Sequence, residues 1–104
     1  MRILVTAVIV ALSVGVSALP AAASPPMHGA ELLPQAVVKL DTARATALSA
    51  RPGKITDQEL EAEAGGSGLR YSFDIVSKSK TYEVGVDAKS GAVLENKAEG
   101  KHPD

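Results

Sequence analysis

The 104-residue sequence has no cysteine, no tryptophan and only three aromatic residues, Tyr71, Phe73 and Tyr82. Without thiols there are no disulfide staples, no thiolate metal ligands and no lipid attachment through a cysteine. Few large apolar side chains mean a small core. A domain of this size draws only about 3–5 kcal/mol from its core, so a partner, or a second copy in a homodimer, would add usefully to its stability. No sign of charge dominates either, with 11 Lys and Arg against 12 Asp and Glu. The basic stripe that nucleic acid or an anionic membrane surface requires is missing.

What is present begins with the one long apolar run. Met1-Arg2 is a short basic start, and Ile3 to Leu19 carries no charge. Pro20 and the small residues Ala21 and Ala23 follow. Positive end, apolar middle and small-x-small site together predict a secretory signal peptide over residues 1–23, cut after Ala23. The alternative is an uncleaved anchor, since the run reaches the short limit of the roughly 17–25 residues that span a bilayer. Proline and the alanine cluster favour cleavage; a membrane is a partner only if the segment stays. The expected destination is the periplasm or the extracellular medium.

Residues 24–32 are punctuated by proline and glycine and read as a flexible leader. His28 lies there with no second ligand in reach of the sequence, so a metal role is not expected. Leu32 to Ala50 has helical periodicity, with Pro34 suited to a first turn. Leu33, Ala36, Val37, Leu40, Ala43 and Ala47 share one face, and the alanines would let it lie close against a sheet. Arg44 falls on that apolar face. It reads as a stem covering apolar surface with its guanidinium in water, or as an anchor for a carboxylate. Arg51-Pro52-Gly53 ends the helix, because proline cannot continue it and glycine tolerates a reversed backbone.

Three strands follow. Lys54 to Ala64 alternates imperfectly, Ile55 being out of step with Leu60 and Ala62, which a bulge would reconcile. Glu59, Glu61 and Glu63 then share one face. Gly65 to Gly68 is a turn; with no lysine-serine/threonine pair and no helix after it, it is not a phosphate cradle. Leu69, Tyr71, Phe73 and Ile75 alternate with Arg70, Ser72 and Asp74. Ser77 to Lys80 makes a polar hairpin loop, and Tyr82, Val84 and Val86 form the matching apolar face. Asp87 and Gly91 close that strand, the aspartate accepting backbone N–H groups ahead of it and the glycine supplying positive φ. Val93-Leu94 gives a last short strand, with a charged tail after it, disordered over 96–104.

A helix ending in Pro52-Gly53, then three strands, the last running Tyr82-Glu83-Val84-Gly85-Val86-Asp87-Ala88-Lys89-Ser90-Gly91-Ala92-Val93-Leu94, resembles the PepSY family. Its domains occur in the prosegments of thermolysin-like metallopeptidases and as small exported bacterial proteins. The resemblance covers residues 33–95. It departs at Arg44 and Thr46, where the family usually has apolar residues, and at the loose glycine turn. It implies an α+β domain, one N-terminal helix packed on an antiparallel meander of three to four strands.

The resemblance also implies a non-catalytic, exported protein-binding module that restrains or regulates a peptidase, or acts through another envelope partner such as a sensor ectodomain. It supplies no catalytic, cofactor or metal residues. Pro52, Gly53, Tyr82, Asp87 and Gly91 are expected to act through backbone geometry and packing, while Arg70, Asp74 and Glu83 are the expected interaction face. The alternative is an exported sensor that binds a small ligand or cation on its acidic sheet face. An enzyme is not expected, because neither histidine lies in an ordered element and no serine sits on a nucleophile elbow.

Overall fold

The computed structural model describes residues 24–100; the expected signal peptide lies outside them. Strand β1 is Met27–His28. A 3-10 helix over Ala30–Gln35 and helix α1, Leu40–Ala50, come next. Then follow β2 (Lys54–Ala62), β3 (Leu69–Ser77), β4 (Lys80–Asp87) and β5 (Val93–Ala98). The five strands lie in sequence order in one sheet. β2 to β5 form an antiparallel meander, and β1 adds to the β2 edge in parallel. The fold is α+β as expected, but with five strands and mixed pairing instead of three to four antiparallel ones.

The core follows from period two. Tyr71, Phe73 and Ile75 are fully buried, and across from them lie Val86, Val84 and Tyr82 of β4. Leu60 and Ile55 fill the same face from β2, and Ala43 and Ala47 come down on it from α1. Two alanines in successive turns let the helix backbone sit close to the sheet. The Tyr71 and Phe73 rings stack with centroids 6.2 Å apart. The buried Tyr71 hydroxyl donates to the Val38 carbonyl at 2.7 Å, and burial pushes its pKa up. The bulge in β2 sits between Ile55 and Asp57, which brings Ile55 into step with the core. Lys78 and Ser79, at φ 50° and 66°, form the two-residue turn between β3 and β4, a mirror-image turn that matches the strand twist.

Four expectations need correction. The helix does not run unbroken from Leu32. After the 3-10 segment Ala36 is extended, at φ −77° and ψ 135°, and the amides of Val37 and Val38 both donate to the Ala88 carbonyl at 3.0 and 2.8 Å. The chain satisfies those N–H groups on the β4–β5 turn rather than within a helix. Leu33 and Val37 therefore leave the core face and stand 39% and 73% exposed.

The leader is not a free segment. Gln58 is buried in β2, and a buried amide requires partners. Its Nε2 donates to Ser24 Oγ at 3.1 Å and to the Pro25 carbonyl at 2.6 Å, and its Oε1 accepts from Arg44 Nη1. Arg44 also reaches Ser24 Oγ at 3.0 Å. It thus joins helix, strand and leader, which neither reading of its side chain foresaw.

Gly53 serves close approach rather than reversed backbone. A Cβ there would run into the Val76 carbonyl oxygen, and its φ is not positive. Finally, β5 continues through the residues read as a frayed tail. Lys97 pairs with Glu83, and Ala98 with Tyr82.

Candidate functional site

Helix α1 covers one face of the sheet, and among the described residues no helix covers the other. Parity assigns the second face. Asp57, Asp74, Glu83 and Lys97 form one row across β2 to β5; Glu59, Ser72, Gly85 and Glu95 form the next. Glu61 and Arg70 lie opposite one another beyond them. The outward positions are mostly carboxylates because the strands alternate apolar with polar residues, and the polar half of β2 and β4 is rich in Asp and Glu. The helix-covered face takes the apolar half.

Arg70, Asp74 and Glu83 all point to this face, but they do not form one cluster. Arg70 is buried rather than exposed. The absence of a side chain at Gly85 gives its stem a path, since a Cβ there would come within 2.9 Å of Arg70 Cδ. Its guanidinium lies 3.6 Å from Glu63 and 3.5 Å from Glu95, and Nη2 donates to the Ala64 carbonyl at 3.3 Å. Its Nε is buried without a partner. Glycine at an outward position of β4, near an arginine on β3, was the signal in the sequence.

Asp74 and Glu83 face each other and, among the described residues, neither makes an ion pair, while Asp57 lies on the other side of Asp74. Burial, a hydrogen bond with the Glu99 side chain and neighbouring carboxylates push the Asp74 pKa up to about 6. Glu83 is raised as well, first by burial and then by Glu95, with Lys97 working against it. Glu63 is raised chiefly by a hydrogen bond with Glu61. Lys97, 2.8 Å from Glu95, is held above the ordinary lysine range by that contact. Glu95, Lys97 and Glu99 were missed as site residues because they lie in the segment read as a tail.

Asp87 shares the outward parity but does different work. It is buried, and its carboxylate accepts from the amides of Ser67, Lys89 and Ser90 and from Ser67 Oγ, at 2.6 to 3.0 Å. Those backbone donors hold its pKa well below the usual carboxylate range. The two contacts ahead of it belong to its own turn, where Gly91 stands at φ 79°. The two to Ser67 tie the glycine-rich loop to that turn, a link no local pattern shows.

Tyr82 is half-buried, with the Arg51 guanidinium 3.8 Å above its ring. Arg51 Nε donates to Asn96 Oδ1 at 3.1 Å, and Asn96 Nδ2 donates to the Ala50 carbonyl at 3.2 Å. Together these fix the C-terminal end of α1, just before Pro52, to β4 and β5.

The outward face is therefore a surface that attracts cationic groups and strains to hold all its carboxylates ionised. Among the described residues no three Asp, Glu or His side chains converge to hold a metal ion, and no enclosed cavity is found. No helix among them is long and apolar enough to cross a membrane.

No curated protein and no solved structure matches the chain. The family described as peptidase propeptide and YPEB domain, PepSY, matches residues 38–97. That match runs from the start of α1 through β5 and takes in more than half of the chain: this protein belongs to the PepSY family.

Proposed function

We propose that the protein is an exported, non-catalytic binding module that restrains or regulates a peptidase or another envelope protein, docking it on the acidic sheet face. Membership of a family of propeptide-type domains supports the regulatory part of this reading. The observation that carries the docking part is the face itself, lined with Asp57, Glu59, Glu61, Asp74 and Glu83 and covered by no described helix. Its partner would present lysine and arginine side chains, and encounter would weaken with salt. Arg70, committed to Glu63 and Glu95, shapes the surface rather than contacting a partner.

The test is capture of a partner from envelope extract, followed by binding with the purified partner. The double charge reversal Glu59→Lys with Glu83→Lys is compared with Ser49→Lys on the exposed side of α1. Loss of binding in the first and retention in the second is expected. Equal binding by both would remove the acidic face from the account, and binding indifferent to salt would argue for the open β5 edge by strand addition. The cation-sensor alternative has no assembled site among the described residues.

A further inference from the structure

We infer that the protein forms a two-fold dimer by pairing β5 with β5 of a second copy, in the antiparallel register that sets Glu95 of each copy opposite Lys97 of the other. The two edges of the sheet are not alike. At one edge β1 lies along β2 and covers it at Gln58 and Glu59. At the other, β5 runs six residues, Val93–Ala98, and among the described residues no strand pairs with its outer side. A bare edge of that length is a template for another strand. With β1 blocking the opposite edge, pairing of β5 with β5 closes after two copies instead of growing into a filament.

Ladder geometry and charge then select the register. The Glu99 amide donates to the Thr81 carbonyl at 2.9 Å, so residues 99 and 81 are a hydrogen-bonded pair, and such pairs alternate along an antiparallel ladder. Asn96 and Ala98, opposite Val84 and Tyr82, therefore turn their N–H and C=O groups away from β4. A second β5 must bond to those groups. Near the middle of the strand a two-fold axis can pass at Glu95, Asn96 or Lys97; further towards Leu94 a register shift interrupts the ladder. An axis at Glu95 or Lys97 sets that residue against its own copy, and like charges directly opposite are destabilising. An axis at Asn96 joins the two Asn96 backbones by both bonds and sets Glu95 opposite Lys97 twice. Those are non-hydrogen-bonded positions, where Cα atoms approach to about 4.5 Å and side chains lie closest. The Lys97 side chain, 2.8 Å from its own Glu95, remains 68% exposed and free to take a second carboxylate. Asn96 leaves the axis clear, because its side chain folds back onto Arg51 and the Ala50 carbonyl. A lysine on an edge ordinarily keeps strands apart; here it selects the partner. The axis stands across the sheet, so both acidic faces lie on one side, and the dimer does not depend on the docking reading.

Sedimentation velocity of the exported protein against concentration tests this, with NMR on a mixture of isotope-labelled and unlabelled chains. A reversible dimer is expected, weak because one strand pair buries less than a stable interface does. The Hα atoms of Glu95 and Lys97 from different copies should be in contact. Ala98→Pro removes an outward N–H and no bond to β4, so it should keep the melting temperature and leave the protein monomeric. Lys97→Glu sets like charges together twice and should weaken the dimer by about tenfold or more; it decides alone if Ala98→Pro unfolds. Lys54→Glu, the same charge change at the start of β2, should leave association unchanged. A monomer at every concentration, a dimer that survives Ala98→Pro, or contact of Glu95 with Glu95 or of Lys97 with Lys97 would each overturn the inference. Equal weakening by Lys54→Glu and Lys97→Glu would overturn it too, since net charge and not register would then control association.

Discussion

The two faces of this sheet are built from the same strands and follow opposite rules. On the inward face Tyr71, Phe73, Ile75, Val84 and Val86 are wholly buried, and the one buried hydroxyl has its acceptor. On the outward face Asp57, Asp74 and Glu83 are set side by side across three strands. Apolar burial is non-directional and grows with every contact, whereas like charges opposite one another in a ladder are destabilising. A chain without disulfides therefore holds itself together from one side and keeps a less favourable arrangement on the other. That difference places stability on the helix side and the proton-sensitive carboxylates on the open side.

The comparison breaks most easily at its stable half. Phe73→Ala removes a buried ring from the centre of the core and should lose about 3–5 kcal/mol, as much as the whole core is expected to supply. Urea denaturation should find it largely unfolded. A well-folded variant would mean that the inward face is not where stability lies.

Asp87→Asn should act next most strongly, and in a pH-dependent way. The folded pKa is lowered, so the carboxylate stabilises the fold above its ordinary pKa, and that contribution is lost as pH falls towards the folded value. The variant should melt below the wild type at neutral pH, and the gap should close in acid. A constant gap would show that the amide contacts depend on shape and not on charge.

Much of this architecture was legible in the residues. The alternation of Leu69 to Ile75 against Tyr82 to Val86 determined two strands, their inward faces and the turn between them. The mismatch between Ile55 and Leu60 located a bulge. What escaped depended on contacts distant in sequence. The break at Ala36 arises because the Ala88 carbonyl takes two amides from 50 and 51 residues upstream, and no helical period reports that. The leader is ordered by the needs of buried Gln58. Arg70 looked like an exposed charge because alternation gives a side chain's direction, not what lies along it. Only Gly85 hinted that the stem could lie down. The outward face itself was readable as acidic, but its C-terminal members were hidden in a stretch whose composition suggested fraying.

A smaller effect sharpens the contrast. Gln58→Leu keeps the volume at that position while deleting the amide that holds Ser24 and Pro25. Stability should fall by about 1 kcal/mol or less, and exchange protection should drop at Met27 and His28 with the meander unaffected. Loss of protection throughout β2 would show that the leader is part of the core rather than tied to it.

The most direct test of the central claim is urea stability of the wild type as a function of pH, with Asp74→Asn beside it. Asp74, Glu63 and Glu83 all have folded pKa values above their ordinary ones. For such acids the folded state holds more protons, so stability is greatest below the unfolded pKa and declines as pH rises through the folded one. The account predicts a fall between about pH 4 and 7, with Asp74→Asn gaining about 0.5–1 kcal/mol at neutral pH after allowance for solvent screening and nothing in acid. Wild-type stability that rises over that interval, or an Asp74→Asn variant no more stable than the wild type at pH 7, would contradict the account of a strained outward face.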